Sequence, residues 1–242
     1  MKTSSAAARR PGKRADSNKS DAAKAGWVKR NGLSLAMLAL FGVSLLGQIA
    51  TGHAAHNEDQ LQHGQHALPL VEYLSSGHFI EAVSENWESE FLQMAALVFL
   101  SAYLYQAGSP DSRKLEGEPE LDGDPLEERK KDSPWPVQRG GLTLKIYEHS
   151  LTLALLALFA ISFFLHAYGG AREYSLEEIE HGGTSVSMFN YMLTSTFWFQ
   201  SLQNWQSEFL SVATLAVLSI FLRQRRSPQS KPVASPHSET GG

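Results

Sequence analysis

Two glutamates stand where a membrane would make them chemically consequential. Glu90 and Glu208 hold the same place in a block that occurs twice, NWESEFL from Asn86 and NWQSEFL from Asn204. Each acid lies four residues after an asparagine and directly before an uncharged apolar run. If those runs are inserted in a bilayer, each carboxylate sits ~6 Å inside the outer boundary. An ionised acid at the bilayer centre costs about 2.5 kcal/mol or more, and less near an interface, so each needs a partner or a proton. Brought together, the two acids would repel, raise one pKa and share a proton. His166, near the outer end of another apolar run, is a possible partner. Asn86, Glu90, Asn204, Glu208 and His166 thus form a candidate intramembrane polar site. The competing reading is interfacial, with both acids reaching water and facing the positive N-terminal ends of their helices.

A second constellation lies in the segment 51–85, which carries His53, His56, Asn57, Glu58, Asp59, His63, His66 and His78. His53/His56 and His63/His66 are each three apart, close enough to share a metal ion if locally helical. The corresponding segment 169–203 keeps His181 alone, so these histidines are not a property of both copies. The plainer reading is a row of solvated loop histidines.

Positioning these groups falls to four apolar runs. Leu33 to Ala50 and Leu151 to Tyr168 carry no charge and are about as long as ~30 Å of hydrocarbon requires. Phe91 to Tyr105 and Phe209 to Leu222 are shorter, and a full span extends them backwards through Asn86–Glu90 and Asn204–Glu208. Trp87 and Trp205 then become interface anchors. Mean hydropathy is mildly negative. That average hides a sharp segregation of apolar from charged residues.

Lysine and arginine set the orientation. The stretch before the first run, the linker from Ala107 to Lys145 and the tail after Leu222 are rich in both. The segments 51–85 and 169–203 contain Arg172 and no other basic residue. The positive-inside rule places N-terminus, linker and C-terminus in the cytoplasm. A basic region ahead of the first run also fits a signal peptide, but the run is long for a signal core and its counterpart sits mid-chain, so a retained helix is expected.

A shift of 118 residues carries Asn86 onto Asn204 and aligns Leu33–Arg113 with Leu151–Lys231 without a gap. Roughly a third of the aligned positions are identical, a strong internal repeat. Each copy holds two spans, so both enter the membrane in the same direction, as a parallel repeat. The expected fold is all-α, an integral-membrane four-helix bundle of two tandem helical hairpins. Its parts are a disordered basic N-terminus (1–28), repeat one (29–107, outer loop 51–85), a charged linker (108–145), repeat two (146–226, outer loop 169–203) and a disordered tail (227–242). Helical spacing puts Asn86, Glu90, Gln93, Leu97 and Ser101 on one face of the second span, and Thr152, Leu155, Phe159, Ser162 and His166 on one face of the third. These semi-polar stripes are expected to face inward. Ser175-Leu176-Glu177-Glu178 is a capping-box pattern that predicts a helix start.

The segments Asn31-Gly32-Leu33-Ser34-Leu35, YLSSGHF at Tyr73, NWESEFLQM at Asn86 and GSPDS at Gly108 together resemble an uncharacterised bacterial membrane-protein family, a domain of unknown function. The resemblance covers nearly everything from Lys29 to Lys231. It implies a bacterial inner-membrane protein and brings no activity, cofactor or site residue.

With no cysteine, disulfides, thiolate zinc sites and cysteine nucleophiles are excluded. There is no phosphate loop, nucleophile elbow or HExxH motif, so the chain reads as not an enzyme, with no cofactor implied. The expected partners are the lipid bilayer, a second copy of the chain or another membrane protein, and not nucleic acid. The leading functional reading is a structural, interaction or stress-related envelope component. The alternatives are a small proton or cation transporter using the repeated acids, and metal binding through the outer histidines.

Overall fold

A computed structural model describes residues 26–114 and 123–241. Most of the basic N-terminal stretch and the acidic part of the linker lie outside them. The described residues are helical, with no strand among them.

The chain divides into two compact units, residues 1–67 and 68–242. In the first, α1 (Trp27–Arg30) leads into α2 (Gly32–Gln62). The uncharged half of α2 leaves Leu33, Met37, Leu38, Phe41, Val43 and Leu46 exposed. The helix does not stop where the apolar run ends. It continues through His53 and His56 to Gln62, and Gly64, at φ +73°, turns the chain away. A left-handed residue after a helix is cheapest as glycine.

The second unit holds α3 (Leu70–Tyr73), α4 (Gly77–Tyr103), α5 (Trp135–Arg139), α6 (Gly141–Glu148), α7 (Ser150–Glu180), α8 (Met188–Tyr191) and α9 (Ser195–Phe221). The bounds of α7, α8 and α9 are those of α2, α3 and α4 displaced by 118 residues. The caps match too. Ser76 Oγ accepts the Phe79 N–H and Thr194 Oγ1 accepts the Phe197 N–H, at 3.2 and 3.3 Å. Such caps satisfy amides that have no intrahelical partner.

α4 and α7 run antiparallel and form the main packing of this unit, with α9 laid against α4. Glycine makes the crossing close. A Cβ on Gly169 would stand 2.5 Å from the Glu81 backbone nitrogen, and one on Gly77 2.7 Å from the Gly169 carbonyl oxygen. Small residues let helix backbones approach in this way. Beside the crossing lie Ala167, Ala171, Tyr191 and Phe197, a small core edged by Phe163, Tyr174 and Met192.

The inward face of α4 differs from the expected one. Val83, Ser84, Glu88, Ser89 and Ala95 are buried, whereas Asn86 and Glu90 are exposed. Two residues correspond to ~200° of helical rotation, so Glu88 and Glu90 point to opposite sides. In α7 the expected face holds, with Ser162 and His166 buried. The capping-box pattern at Ser175 starts no helix. α7 runs through it, and Ser175 Oγ instead donates to Ala171 O (2.6 Å) and accepts the Val186 N–H (2.8 Å).

The tail after Arg226, whose composition suggested disorder, takes a defined path in which the buried Lys231 ammonium donates to the Pro236, His237 and Glu239 carbonyls. Gly108 N–H donates to Thr240 Oγ1 and Gly241 N–H to Ser109 O, joining tail and linker.

Candidate functional site

Below the glycine crossing, α4 presents Glu81, Glu85 and Glu88 to His166 of α7. Glu88 and His166 are fully buried, with Glu88 Oε2 2.8 Å from imidazole Nδ1. The indole N–H of Trp205 donates to the other Glu88 oxygen at 2.9 Å. Glu88 is therefore held by two N–H groups and in turn fixes the imidazole ring.

The other ring nitrogen faces acceptors. Nε2 lies 3.4 Å from Gln200 Oε1 and 3.9 Å from Glu85 Oε2. Gln200 has committed its amide nitrogen to Glu81 Oε1, 2.8 Å away, so it turns its carbonyl oxygen toward the imidazole. The Tyr191 hydroxyl lies 2.7 Å from Gln200 Oε1 and 3.0 Å from Glu81 Oε1, with one proton to donate. Asn204 Nδ2 donates to Glu85 Oε1 at 3.2 Å. The acceptors at both ring nitrogens call for a proton, so in the metal-free protein the imidazole meets Glu88 through Nδ1 and faces Gln200 and Glu85 through an Nε2–H.

Ligand atoms of Glu81, Glu85 and His166 all lie within 4.8 Å of one another, a group of three able to hold a metal ion. Glu81 and Glu85 are half-buried, which leaves an approach from their side. The α7–α9 side is closed by aromatic rings. Phe197 packs on His166 with centroids 4.8 Å apart and on Phe163 at 5.2 Å, and Phe159 meets Trp205 at 6.1 Å.

Charge at the rim is unbalanced. Burial pushes the Glu81 and Glu85 carboxyls above the usual carboxylate range, against the pull of hydrogen bonds from Gln200 and Tyr191 on the first and Asn204 on the second. Burial, then the charge of Glu81, drives the Tyr191 phenol well above its ordinary value. The charges acting most strongly on Glu81 and Glu85 are those of His166, Glu177 and the neighbouring carboxylates, with no lysine or arginine among them.

Of the residues singled out from sequence, His166 and Asn204 belong to this cluster. Trp205 belongs too, its indole N–H donating to the buried Glu88. Trp87 is half-buried. Asn86 donates to Ala82 O on its own helix, away from the imidazole. Glu208 lies near enough to Glu90 for the two charges to act on each other, but neither acid reaches His166, whose partner is Glu88.

His53 and His56 lie on one helix, near enough for their charges to act on each other. His53 and His63 belong to one continuous helix and its C-cap, which separates them by ~15 Å along the axis. His53 Nε2 meets Asn57 Nδ2, and His63 Nδ1 lies 3.0 Å from Asp59 O.

Glu81, Glu85, Glu88, Gln200 and Tyr191 escaped sequence reasoning. A signal was present, because Glu81, Glu85 and Glu88 step by four and three, the spacing of one helical face.

The chain belongs to a family described as Domain of unknown function (DUF6766), whose model matches residues 24–242. No curated protein and no solved structure matches it.

Proposed function

From a family whose description assigns no activity, we propose a non-enzymatic, multi-pass membrane protein of the bacterial cell membrane that binds a cation at its outer face. It has four spans and cytoplasmic termini, and it arose by tandem duplication of a two-helix unit. Support for the spans begins with α2 and α7, each long and apolar enough to cross a membrane. α4 packs along α7 and exposes Leu97, Phe99, Leu100 and Tyr103, while α9 exposes Phe209, Leu210, Leu215 and Phe221. Apolar surface on this scale calls for lipid or a partner. The duplication is supported by the 118-residue displacement of both the sequence blocks and the helix bounds.

One observation carries the cation-binding reading. Carboxylate oxygens of Glu81 and Glu85 and the His166 Nε2 converge at the outer rim beside Gln200 Oε1, and among the described residues His166 is the one cationic group acting strongly on these acids. Acids held near lipid with too little counter-charge are costly, and a bound cation removes that cost. The aromatic closure beneath favours retention of the ion over passage.

Because the chain has no native cysteine, single cysteines report topology without background. Thr184→Cys is expected to react with an impermeant maleimide on intact cells, and Asp132→Cys only after permeabilisation. Labelling of both from the same side would overturn the four-span arrangement. Cation binding is read separately, as thermal stabilisation of the purified protein by chloride salts that Glu85→Gln weakens. Equal stabilisation of both proteins would overturn that reading.

A further inference from the structure

We infer that the cation is a first-row divalent transition-metal ion, bound by His166 Nε2 and carboxylate oxygens of Glu81 and Glu85, with Glu88 as the positioning residue. The inference rests on the reading of this cluster as a cation site and names its ligand.

The donor set selects the class. Alkali and alkaline-earth ions take oxygen ligands, whereas imidazole suits the later first-row metals. One imidazole with two carboxylates is a mixed set suited to Mn²⁺, Fe²⁺, Co²⁺ or Zn²⁺. Gln200 Oε1, 3.4 Å from Nε2, offers a fourth ligand atom and a third oxygen.

The arrangement around the imidazole is the one that metal-bound histidines require. A ligating histidine donates its other N–H to a carboxylate, which fixes the tautomer and raises the basicity of the ligating nitrogen. Here Nδ1 meets the fully buried Glu88 at 2.8 Å, and Trp205 N–H holds that carboxylate from the far side. The second nitrogen of this fully buried ring faces the Glu85 carboxylate and the Gln200 carbonyl, and it becomes a ligand when a metal ion displaces its proton. That imidazole nitrogen distinguishes the site from a group of acids alone.

Distances fit a site that tightens on loading. Two ligands ~2.1 Å from a tetrahedral metal lie ~3.4 Å apart, so the present limit of 4.8 Å closes by roughly an ångström or more. Glu81 and Glu85 are half-buried and can supply the movement, while the sealed Glu88–His166 pair stays fixed. Entry is from the side of the two half-buried acids.

The test uses full-length protein in mild detergent, stripped with chelator and titrated with Co²⁺. Its visible d–d absorption reports ligand field and coordination number. Calorimetric titrations with Zn²⁺, Mg²⁺ and Ca²⁺ run alongside. Wild type is expected to give one Co²⁺ site per chain with a d–d spectrum, displaced by Zn²⁺ and not by Mg²⁺ or Ca²⁺. Glu81→Gln with Glu85→Gln is expected to abolish it, and this pair keeps the fold because it removes neighbouring like charges without changing volume. Glu88→Gln is expected to weaken Co²⁺ by about 10–100-fold while retaining the band, as loss of an outer-shell partner does. Unchanged Co²⁺ binding in a folded Glu81→Gln, Glu85→Gln protein would overturn the assignment. Mg²⁺ or Ca²⁺ binding that depends on Glu85, with no cobalt band, would overturn the metal class and leave the cation reading standing. No stabilisation by any cation would end both.

Discussion

Two stretches of the chain related by a shift of 118 residues share sequence blocks and helix bounds and differ in their chemistry. At a shift of 118 residues Asn86 meets Asn204, Trp87 meets Trp205, and Glu90 meets Glu208. The cap residues Ser76 and Thr194 and the helix bounds coincide as well. Within the acid–imidazole cluster Asn204 and Trp205 have identical counterparts, whereas the acids and the imidazole do not. His166 corresponds to Gln48, Glu81 to Phe199, Glu85 to Gln203 and Glu88 to Gln206. Even the shared Tyr73 and Tyr191, both buried, diverge in use. Tyr191 contacts Glu81 and Gln200, whereas Tyr73 lies 3.4 Å from His78. What both copies retain builds helices, turns and part of the lining. The acids and imidazole that one copy alone carries give the site its chemistry, where α4 meets α7 and α9.

The comparison breaks most sharply at the imidazole. His166→Ala leaves Glu88 buried with one N–H partner in place of two. Removing one member of a buried pair costs about 3–5 kcal/mol, and thermal unfolding in detergent should show a loss of that order. The control is Gln206→Ala at the position matching Glu88. Gln206 is exposed, and the change should stay within about 0.5 kcal/mol. Comparable losses at the two positions would place equal weight on both copies and sink the asymmetry.

Next comes the glycine crossing. A Cβ at residue 169 meets backbone atoms of Glu81, which cannot move aside as a flexible side chain would. Gly169→Ala should cost about 1–3 kcal/mol, the range for overpacking, and should displace Glu81 from Gln200. The matching residue in the first copy is Thr51, which already carries a Cβ. Thr51→Ala should leave unfolding unchanged within about 0.5 kcal/mol.

Much of the frame was legible in advance. Uncharged apolar runs announced α2, α4, α7 and α9, because helix formation follows local composition. His166 was legible as an ionisable group within an apolar run. The partners of His166 were not, for two reasons. A polar stripe indicates that a helix has a polar side but not which of two stripes its neighbour covers, and α4 has one through Asn86 and Glu90 and another through Glu81, Glu85 and Glu88. The second stripe also began in a segment read as loop, since polar content near position 80 concealed a helix already under way at Gly77. Repetition drew attention to Glu90 and Glu208, yet a repeated residue equally marks shared scaffolding.

Acidity separates the rim from the rest of the molecule. Burial raises the Glu81 and Glu85 pKa values in the folded state, so folding favours their protonated forms. The folded protein therefore binds more protons than the unfolded chain between the ordinary carboxylate range and the raised values. Metal-free stability should fall as pH rises through that window and level off above it. Glu88, His166, Tyr191 and Glu177 also face these acids and shape the curve. Glu81→Gln with Glu85→Gln should flatten it in unfolding measured across pH, and an unchanged slope would assign the dependence to other groups.

The smallest expected effect concerns the acids that the repeat made conspicuous. Glu90 is exposed and Glu208 half-buried, and the charge of Glu208 acts on Glu90. Among the described residues neither carboxylate accepts a hydrogen bond from another helix. Replacing both by glutamine removes a like-charge repulsion and leaves no donor orphaned, so stability should rise by no more than about 0.5 kcal/mol. Cation binding at the rim should be unaltered, because the pair lies on the opposite side of α4 from Glu88. A loss of cation-dependent stabilisation in this double variant, with the fold intact, would move the functional centre to the duplicated acids and remove the distinction between the copies.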